Sequence, residues 1–176
     1  EVGRQADGYK LVMKRSGRGE WKWQLDVESL RKAVRKTTRV IVVTNPNNPT
    51  GHVLSEDDMQ AIIEEARRVG AWILSDEIYR GAEISGPLSP TFYGRYEKVI
   101  VTSGLSKAFA LPGLRTGWIV TTPQMVGHLC QYHDYLTLTP SILSDQLADI
   151  VMQPARRDEI LLRTRAIIGQ NLPLLE

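Results

Sequence analysis

The chain has 176 residues, of which 42% are hydrophobic and 24% are charged, and its formal net charge is +2. These values are typical of one ordinary globular domain and argue against disorder. Lys and Arg occur at most in pairs, and no apolar run approaches the ~20 residues that a membrane-spanning helix needs. We therefore expect small-molecule partners, with no nucleic acid and no membrane.

The cysteine count predicts the cellular compartment of the protein, and the first residue predicts that the chain is part of a longer protein. Cys130 is the sole cysteine, so no disulfide can form within the chain, which predicts a reducing compartment such as the cytoplasm. We expect Cys130 to be a small buried hydrophobe within a helix. Because the chain begins at Glu1 rather than at Met, we also expect it to be part of a longer protein.

The first part of the chain predicts a strand, a helix and a second strand. Residues 9–13 form a weak strand pattern, and Asp26 is a candidate N-cap for a helix with apolar residues on one face. Residues 40–43 are β-branched and continuously apolar, which predicts a strand buried on both faces of a parallel sheet.

The strongest helix signal follows this strand. Ser55 and Asp58 form a capping-box pattern, apolar residues recur at helical spacing, and Gly70 is expected to end the helix. Beyond it we expect three strands, and then helices with breaks at two prolines: strands at 71–75, 98–102 and 117–121, and breaks at Pro140 and Pro154. Strands that alternate with helices imply an α/β layered sheet.

Polar residues follow three of the predicted strands. In open α/β sheets the ligand lies beyond the carboxyl ends of the strands. Those positions hold the sequence Asn-Pro-Asn-Asn-Pro-Thr-Gly at 45–51, then Asp76 and Tyr79, and then Lys107, with Arg115 eight residues further on. The ends of the predicted strands thus bring together amides, a carboxylate, a phenol, an amine and a guanidinium.

This set suits a ligand with a phosphate, a basic ring nitrogen and an electrophilic carbonyl. Arg115 offers a planar fork of donors to phosphate oxygens, and Ser103 and Ser106 add hydroxyls. Asp76, expected at a buried strand end, requires a cationic partner, which a protonated ring nitrogen provides. Lys107, expected to be partly desolvated, is a candidate nucleophile.

Together these motifs resemble the class I/II aminotransferase signature of fold-type I pyridoxal-phosphate (PLP) enzymes. The Asn-Pro run, the Asp-Glu-Ile-Tyr step and the Ser-Lys…Arg-x-Gly segment occur in the family's order, and the similarity extends over nearly the whole chain. The resemblance implies a three-layer α/β sandwich with a mostly parallel sheet. Residues 1–154 would be a partial PLP-binding large domain, and residues 155–176 would begin a linker helix toward a C-terminal small domain.

The resemblance also implies roles for individual residues. Lys107 would be the catalytic residue that carries PLP as a Schiff base and then shuttles a proton, and Asp76 would keep the pyridine nitrogen protonated. Tyr79 and Asn48 would hydrogen-bond the 3-hydroxyl oxygen of the ring. Arg115 and Ser106 would bind the phosphate. The implied function is amino transfer between an amino acid and a 2-oxo acid, in a homodimer.

The sequence departs from the family pattern at two positions and leaves three different functions open. Gly104 stands where many relatives have a serine, and Thr116 stands where the motif usually has an aliphatic residue. A PLP-dependent lyase or synthase would keep every named residue, because fold and cofactor do not fix the reaction. A non-catalytic PLP-binding sensor domain of a transcription regulator would keep them too, and a non-catalytic remnant of an enzyme is the third possibility.

Overall fold

The computed structural model describes residues 5–15 and 19–174. In these ranges the chain forms six strands: β1 (Leu11–Arg15), β2 (Trp21–Leu25), β3 (Val40–Thr44), β4 (Trp72–Asp76), β5 (Val99–Gly104) and β6 (Gly117–Val120). It also forms five α-helices there: α1 (Val27–Ala33), α2 (Glu56–Val69), α3 (Pro123–Leu136), α4 (Ile142–Met152) and α5 (Pro154–Asn171).

The first two strands form an antiparallel hairpin of their own. Leu11 pairs with Leu25, and Arg15 pairs with Trp21. The weak strand predicted at 9–13 is therefore present but begins two residues later. Strand β2 was not predicted, although apolar and polar residues alternate along it from Trp21 to Leu25, which is the period of two that marks a half-buried strand.

The main sheet has the strand order β3-β4-β5-β6. The pairs β3–β4 and β4–β5 are parallel, and β6 joins the edge antiparallel to β5. The expected α/β architecture with a mostly parallel sheet is confirmed.

Helix ends follow the capping signals in the sequence. The Asp26 carboxylate accepts a hydrogen bond from Ser29 N at 3.1 Å and starts α1. Ser55 and Asp58 form the reciprocal capping box of α2, and Gly70 ends that helix in the left-handed region at a φ of 69°.

The packed core lies on one face of the sheet, against α1 and α2. On β3, Ile41 and Val43 are each 4% exposed, whereas Val40 is 48% and Val42 is 57% exposed. The prediction that β3 is buried on both faces is wrong for the described residues. Strand β3 is an edge strand, and no described helix covers its second face, which is where a further layer of a three-layer sandwich would lie.

The last third of the chain is helical, as predicted. Pro140 lies between α3 and α4, and Pro154 is the first residue of α5, where a missing N–H costs nothing. Cys130 is exposed on α3, so the expectation that it is buried is wrong. None of the described helices is both long enough and apolar enough to cross a membrane.

Candidate active site

The carboxyl ends of β3, β4 and β5 lie side by side. Thr44 pairs with Asp76, and Asp76 pairs with Thr102, in the two parallel ladders. The pairing continues one residue further, because Asn45 N donates to Asp76 O at 3.0 Å and Glu77 N donates to Thr102 O at 2.8 Å. The segments that follow the three strands therefore start from neighbouring positions, as the sequence predicted.

The turn after β3 is fixed by its own asparagines. Asn45 is fully buried; its Nδ2 donates to Pro90 O at 3.1 Å, and its Oδ1 accepts from Leu54 N at 3.0 Å. Thr50 Oγ1 donates to Asn47 Oδ1 at 2.8 Å. Because these side chains satisfy main-chain groups on both sides of the turn, its shape is largely set before any ligand binds.

The turn brings Asn48 to Tyr79. The Asn48 Nδ2 donates to the Tyr79 hydroxyl oxygen at 3.2 Å, across 31 residues of sequence. Asn48 is exposed and Tyr79 is half-buried. Two residues that the family resemblance assigned to one ligand oxygen are thus in direct contact.

Asp76 ends β4 on the less covered face of the sheet. Its Oδ1 accepts from Ile78 N at 3.2 Å, and the side chain is half-buried rather than buried. None of the salt bridges in the described parts of the chain involves Asp76. The carboxylate therefore retains acceptor capacity for a cationic ligand.

Lys107 lies in the turn after β5. Ala108 N donates to Ile78 O at 3.3 Å, and Leu105 N donates to Thr116 O at 3.0 Å, so the turn is tied both to the segment after β4 and to β6. The Lys107 side chain is exposed. The expectation that it is partly desolvated is wrong for the described residues, because none of them closes over the turn.

Among the described residues, no side-chain hydrogen bond or ion pair joins Arg115 or Ser106 to the other candidate residues. Arg115 is exposed, has a positive φ of 53°, and donates from Nη1 to Pro112 O at 3.0 Å. Ser106 is half-buried. The main-chain bond between Leu105 and Thr116 nevertheless joins the lysine turn to the segment of Arg115.

Close packing against β6 explains why residue 104 is a glycine, which the sequence alone does not reveal. A Cβ atom on Gly104 would lie 2.9 Å from Thr116 O and 3.0 Å from Gly117 Cα, both of them main-chain atoms of the paired segment. The close approach of β5 and β6 thus leaves no space for a side chain at this position. The Thr116 hydroxyl donates a hydrogen bond to Leu114 O at 3.0 Å and so stabilises the turn before β6.

Glu77 is a buried polar residue that sequence reasoning missed. It lies within the Asp-Glu-Ile-Tyr step but received no role there, because carboxylates are seldom fully buried. In the structure it is 3% exposed. The alternation of side chains along β4 was the available signal, since it directs Asp76 and Glu77 to opposite faces.

The segment after Tyr79 carries a second buried carboxylate, Glu83. It accepts hydrogen bonds from Gly81 N at 3.0 Å and from Ser89 N at 3.1 Å, and also from the Ser89 hydroxyl. Arg165 Nη2 lies 3.7 Å from Glu83 and its Nε donates to Gly81 O, which attaches α5 to this segment. Burial raises the pKa of Glu83, but these hydrogen bonds outweigh it and leave the pKa below its usual value.

A metal centre has no support in the described parts of the chain. No three side chains of the His, Cys, Asp and Glu types lie close enough there to hold an ion. The strand ends of the described residues present one amine at Lys107, one carboxylate at Asp76 and a hydrogen-bonded amide and phenol at Asn48 and Tyr79.

Comparisons with known proteins show which family the chain belongs to. The sequence profile of the family described as aminotransferase class I and II matches residues 8–175. Nicotianamine aminotransferase B of Hordeum vulgare is 36% identical over 99 residues, which is 55% of this chain and 18% of that protein. An S-alkyl-thiohydroximate lyase of Arabidopsis thaliana is 34% identical over 103 residues, covering 57% of this chain and 22% of that protein.

A solved structure shows the same fold. The crystal structure of a PLP-dependent aminotransferase from Streptococcus suis superposes with a TM-score of 0.79 at 38% identity, over 87% of this chain and 40% of that one. The chain thus spans less than half the length of these relatives. Since the family profile covers nearly every residue of it, the chain belongs to the class I and II aminotransferase family.

Proposed function

We propose that the full-length protein is a PLP-dependent aminotransferase that moves an amino group between an amino acid and a 2-oxo acid. The observation that carries this proposal is the arrangement at the strand ends. Asp76, the hydrogen-bonded pair of Asn48 and Tyr79, and the Lys107 turn follow three adjacent strands of a chain that belongs to the family.

The donor set fits PLP group by group. Asp76 is half-buried and has no ion-pair partner among the described residues, which suits a protonated ring nitrogen. Asn48 and Tyr79 present an amide and a phenol that already meet at 3.2 Å, which suits one ring oxygen between them. Lys107 supplies an amine for the aldehyde, and Arg115, with Ser106, supplies donors for the phosphate.

Each residue would then contribute one physical task. When bound, PLP would supply an electrophilic aldehyde and a ring that accepts electrons. Asp76 would hold the proton on the ring nitrogen. Asn48 and Tyr79 would orient the ring through its oxygen. Lys107 Nζ would hold the cofactor covalently until a substrate amine takes its place, and would then carry a proton to and from the substrate α-carbon.

A lyase is the second candidate function. The lyase of Arabidopsis thaliana, 34% identical over the matched residues, supports it, because a lyase can use the same cofactor contacts. The test is to incubate the full-length protein with PLP and single amino acids, with and without 2-oxoglutarate, and to identify the products. A new amino acid that forms only with 2-oxoglutarate supports transamination. Release of ammonia and a 2-oxo acid without it supports a lyase.

The same assay distinguishes an enzyme from a sensor domain when cofactor binding is measured beside product formation. PLP bound without any product would contradict both enzyme proposals and favour the sensor domain. The catalytic role of Lys107 is tested alongside by Lys107→Ala, which should abolish product while leaving the fold intact, because the exposed side chain makes no packing contribution that stability requires.

A homodimer is the proposed assembly. Support comes from α3, α4 and the loop between them, where large apolar side chains are at least two-thirds exposed: Tyr132, Tyr135, Leu136, Leu138, Ile142 and Leu143. An apolar surface of this kind marks a binding face. Light scattering of the full-length protein should give twice the monomer mass, and a monomeric mass would contradict the proposal.

The domain division and the compartment are also proposals. A boundary near residue 154 is supported by the start of α5 at Pro154. Limited proteolysis of the full-length protein should then cut near this boundary before it cuts within the sheet. A cytoplasmic location is supported by the lone cysteine and is tested by cell fractionation.

A further inference from the structure

Glu77 is a buried carboxylate that the proposed function does not use. It follows Asp76 directly, and strand alternation turns the two side chains to opposite sides of the sheet. Asp76 is half-buried on the less covered side, whereas Glu77 is 3% exposed on the core side. A buried carboxylate is costly unless its oxygens accept hydrogen bonds, so its partners indicate what it is for.

One oxygen of Glu77 collects three hydrogen bonds. The Ser75 hydroxyl donates to Oε1 at 3.1 Å, the Thr91 hydroxyl at 2.8 Å and Phe92 N at 3.2 Å. The other oxygen, Oε2, lies 3.9 Å from Arg80 Nε. Glu77 therefore joins the end of β4 to residues 91 and 92, in the segment between β4 and β5.

The main chain of Glu77 is equally constrained. Its N donates to Thr102 O at 2.8 Å, and its carbonyl oxygen accepts from Arg80 N at 3.0 Å and from Ser103 Oγ at 3.3 Å. Asp76 precedes this fixed peptide and Tyr79 follows two residues after it. Any movement of Glu77 would therefore displace both residues that are proposed to hold the cofactor ring.

We propose that Glu77 is a positioning residue that fixes the end of β4 so that Asp76 and Tyr79 meet the PLP ring in the correct place. This inference rests on the proposed function. It assigns no contact between Glu77 and the cofactor, and its action passes through the peptide that it shares with its neighbours.

The substitutions separate geometry from charge. Glu77→Gln keeps an oxygen for the three donors and should preserve the position. Glu77→Ala removes the acceptor and leaves Thr91 Oγ1, Ser75 Oγ and Phe92 N without it. Glu65→Ala is the matched control, because Glu65 is also a buried carboxylate, 8% exposed, but is paired with Arg68 on α2 away from the strand ends.

The probe is pyridoxine 5′-phosphate, which lacks the aldehyde and so cannot bond to Lys107. Its dissociation constant is measured by fluorescence on the full-length apoprotein at a temperature where every variant is folded. Glu77→Ala should weaken binding by about tenfold or more, the loss expected when a charge-assisted hydrogen bond to the ring is misaligned. Glu77→Gln and Glu65→Ala should bind within about twofold of wild type.

A double-mutant cycle with Tyr79→Phe distinguishes positioning from a general loss of stability. If Glu77 positions Tyr79, the cost of Tyr79→Phe should shrink in the Glu77→Ala background; additive costs would overturn the proposal. Binding by Glu77→Ala equal to that of wild type would overturn it as well. If Glu77→Ala does not fold, Thr91→Val, which removes one donor, takes its place with the same criteria. Failure of wild type to bind the probe would instead defeat the proposed function, and this inference with it.

Discussion

Replacing Gly104 by Ser tests whether the close pairing of β5 and β6 excludes any side chain at this position, including the serine that the family resemblance implies. The new Cβ would lie 2.9 Å from Thr116 O and 3.0 Å from Gly117 Cα. Real Cβ atoms do not approach main-chain atoms so closely, so the two strands must separate by several tenths of an ångström. Overpacking of this kind costs about 1–3 kcal/mol.

The assay is urea unfolding, with Gly113→Ser as the control because no atom lies within 4 Å of a Cβ built there. Gly104→Ser should lower the unfolding free energy by the amount above and the Tm by about 2–4 °C for each kcal/mol in a chain of this size. Gly113→Ser should stay within about 0.5 kcal/mol of wild type. Equal stability of the two variants would refute the packing explanation for Gly104.

Three further predictions address the site and its surroundings. Tyr79→Phe should weaken PLP binding roughly tenfold to a hundredfold, measured by titration of the apoprotein, because a hydrogen bond to a charged ring oxygen is lost. Asn45→Ala should lower the unfolding free energy in urea by about 2 kcal/mol or more, since one buried and one partly buried main-chain group lose their partner; an unchanged value would contradict this. Burial lowers the pKa of His52 from 6.5 by more than the nearby Asp58 carboxylate raises it. The unfolded chain therefore binds a proton at this residue more readily than the folded chain. The contribution of His52 to stability should be complete above about pH 6.5 and should fall below that pH. His52→Gln should flatten that fall in pH-dependent thermal melts and exposed His128→Gln should not; matching curves for both would contradict the assignment.

Local signals predicted most of the fold. The capping pair of Ser55 and Asp58 and the terminal Gly70 gave the bounds of α2 almost to the residue, because helix ends depend on side chains a few positions apart. The order of polar residues after the strands predicted which segments meet, because parallel strands place their carboxyl ends on one edge.

Features that depend on distant segments could not be predicted from local patterns. Strand β5 extends two residues beyond its expected end because Ser103 and Gly104 pair with β6. Val42, Cys130 and Lys107 are exposed because no described segment covers them, which local patterns could not predict either. Apolarity and spacing show that a residue can be buried, but whether another segment covers it is a property of the tertiary structure.

The most direct test of the account is covalent trapping of the cofactor. The full-length protein is mixed with PLP, its visible absorption is recorded, and the mixture is reduced with borohydride and mapped by mass spectrometry, with Lys107→Ala in parallel. The account predicts a visible band and a reduced PLP adduct on Lys107, both absent from the variant. An adduct elsewhere, or no adduct in a folded wild-type protein, would contradict the assignment of Lys107 and the proposed enzyme.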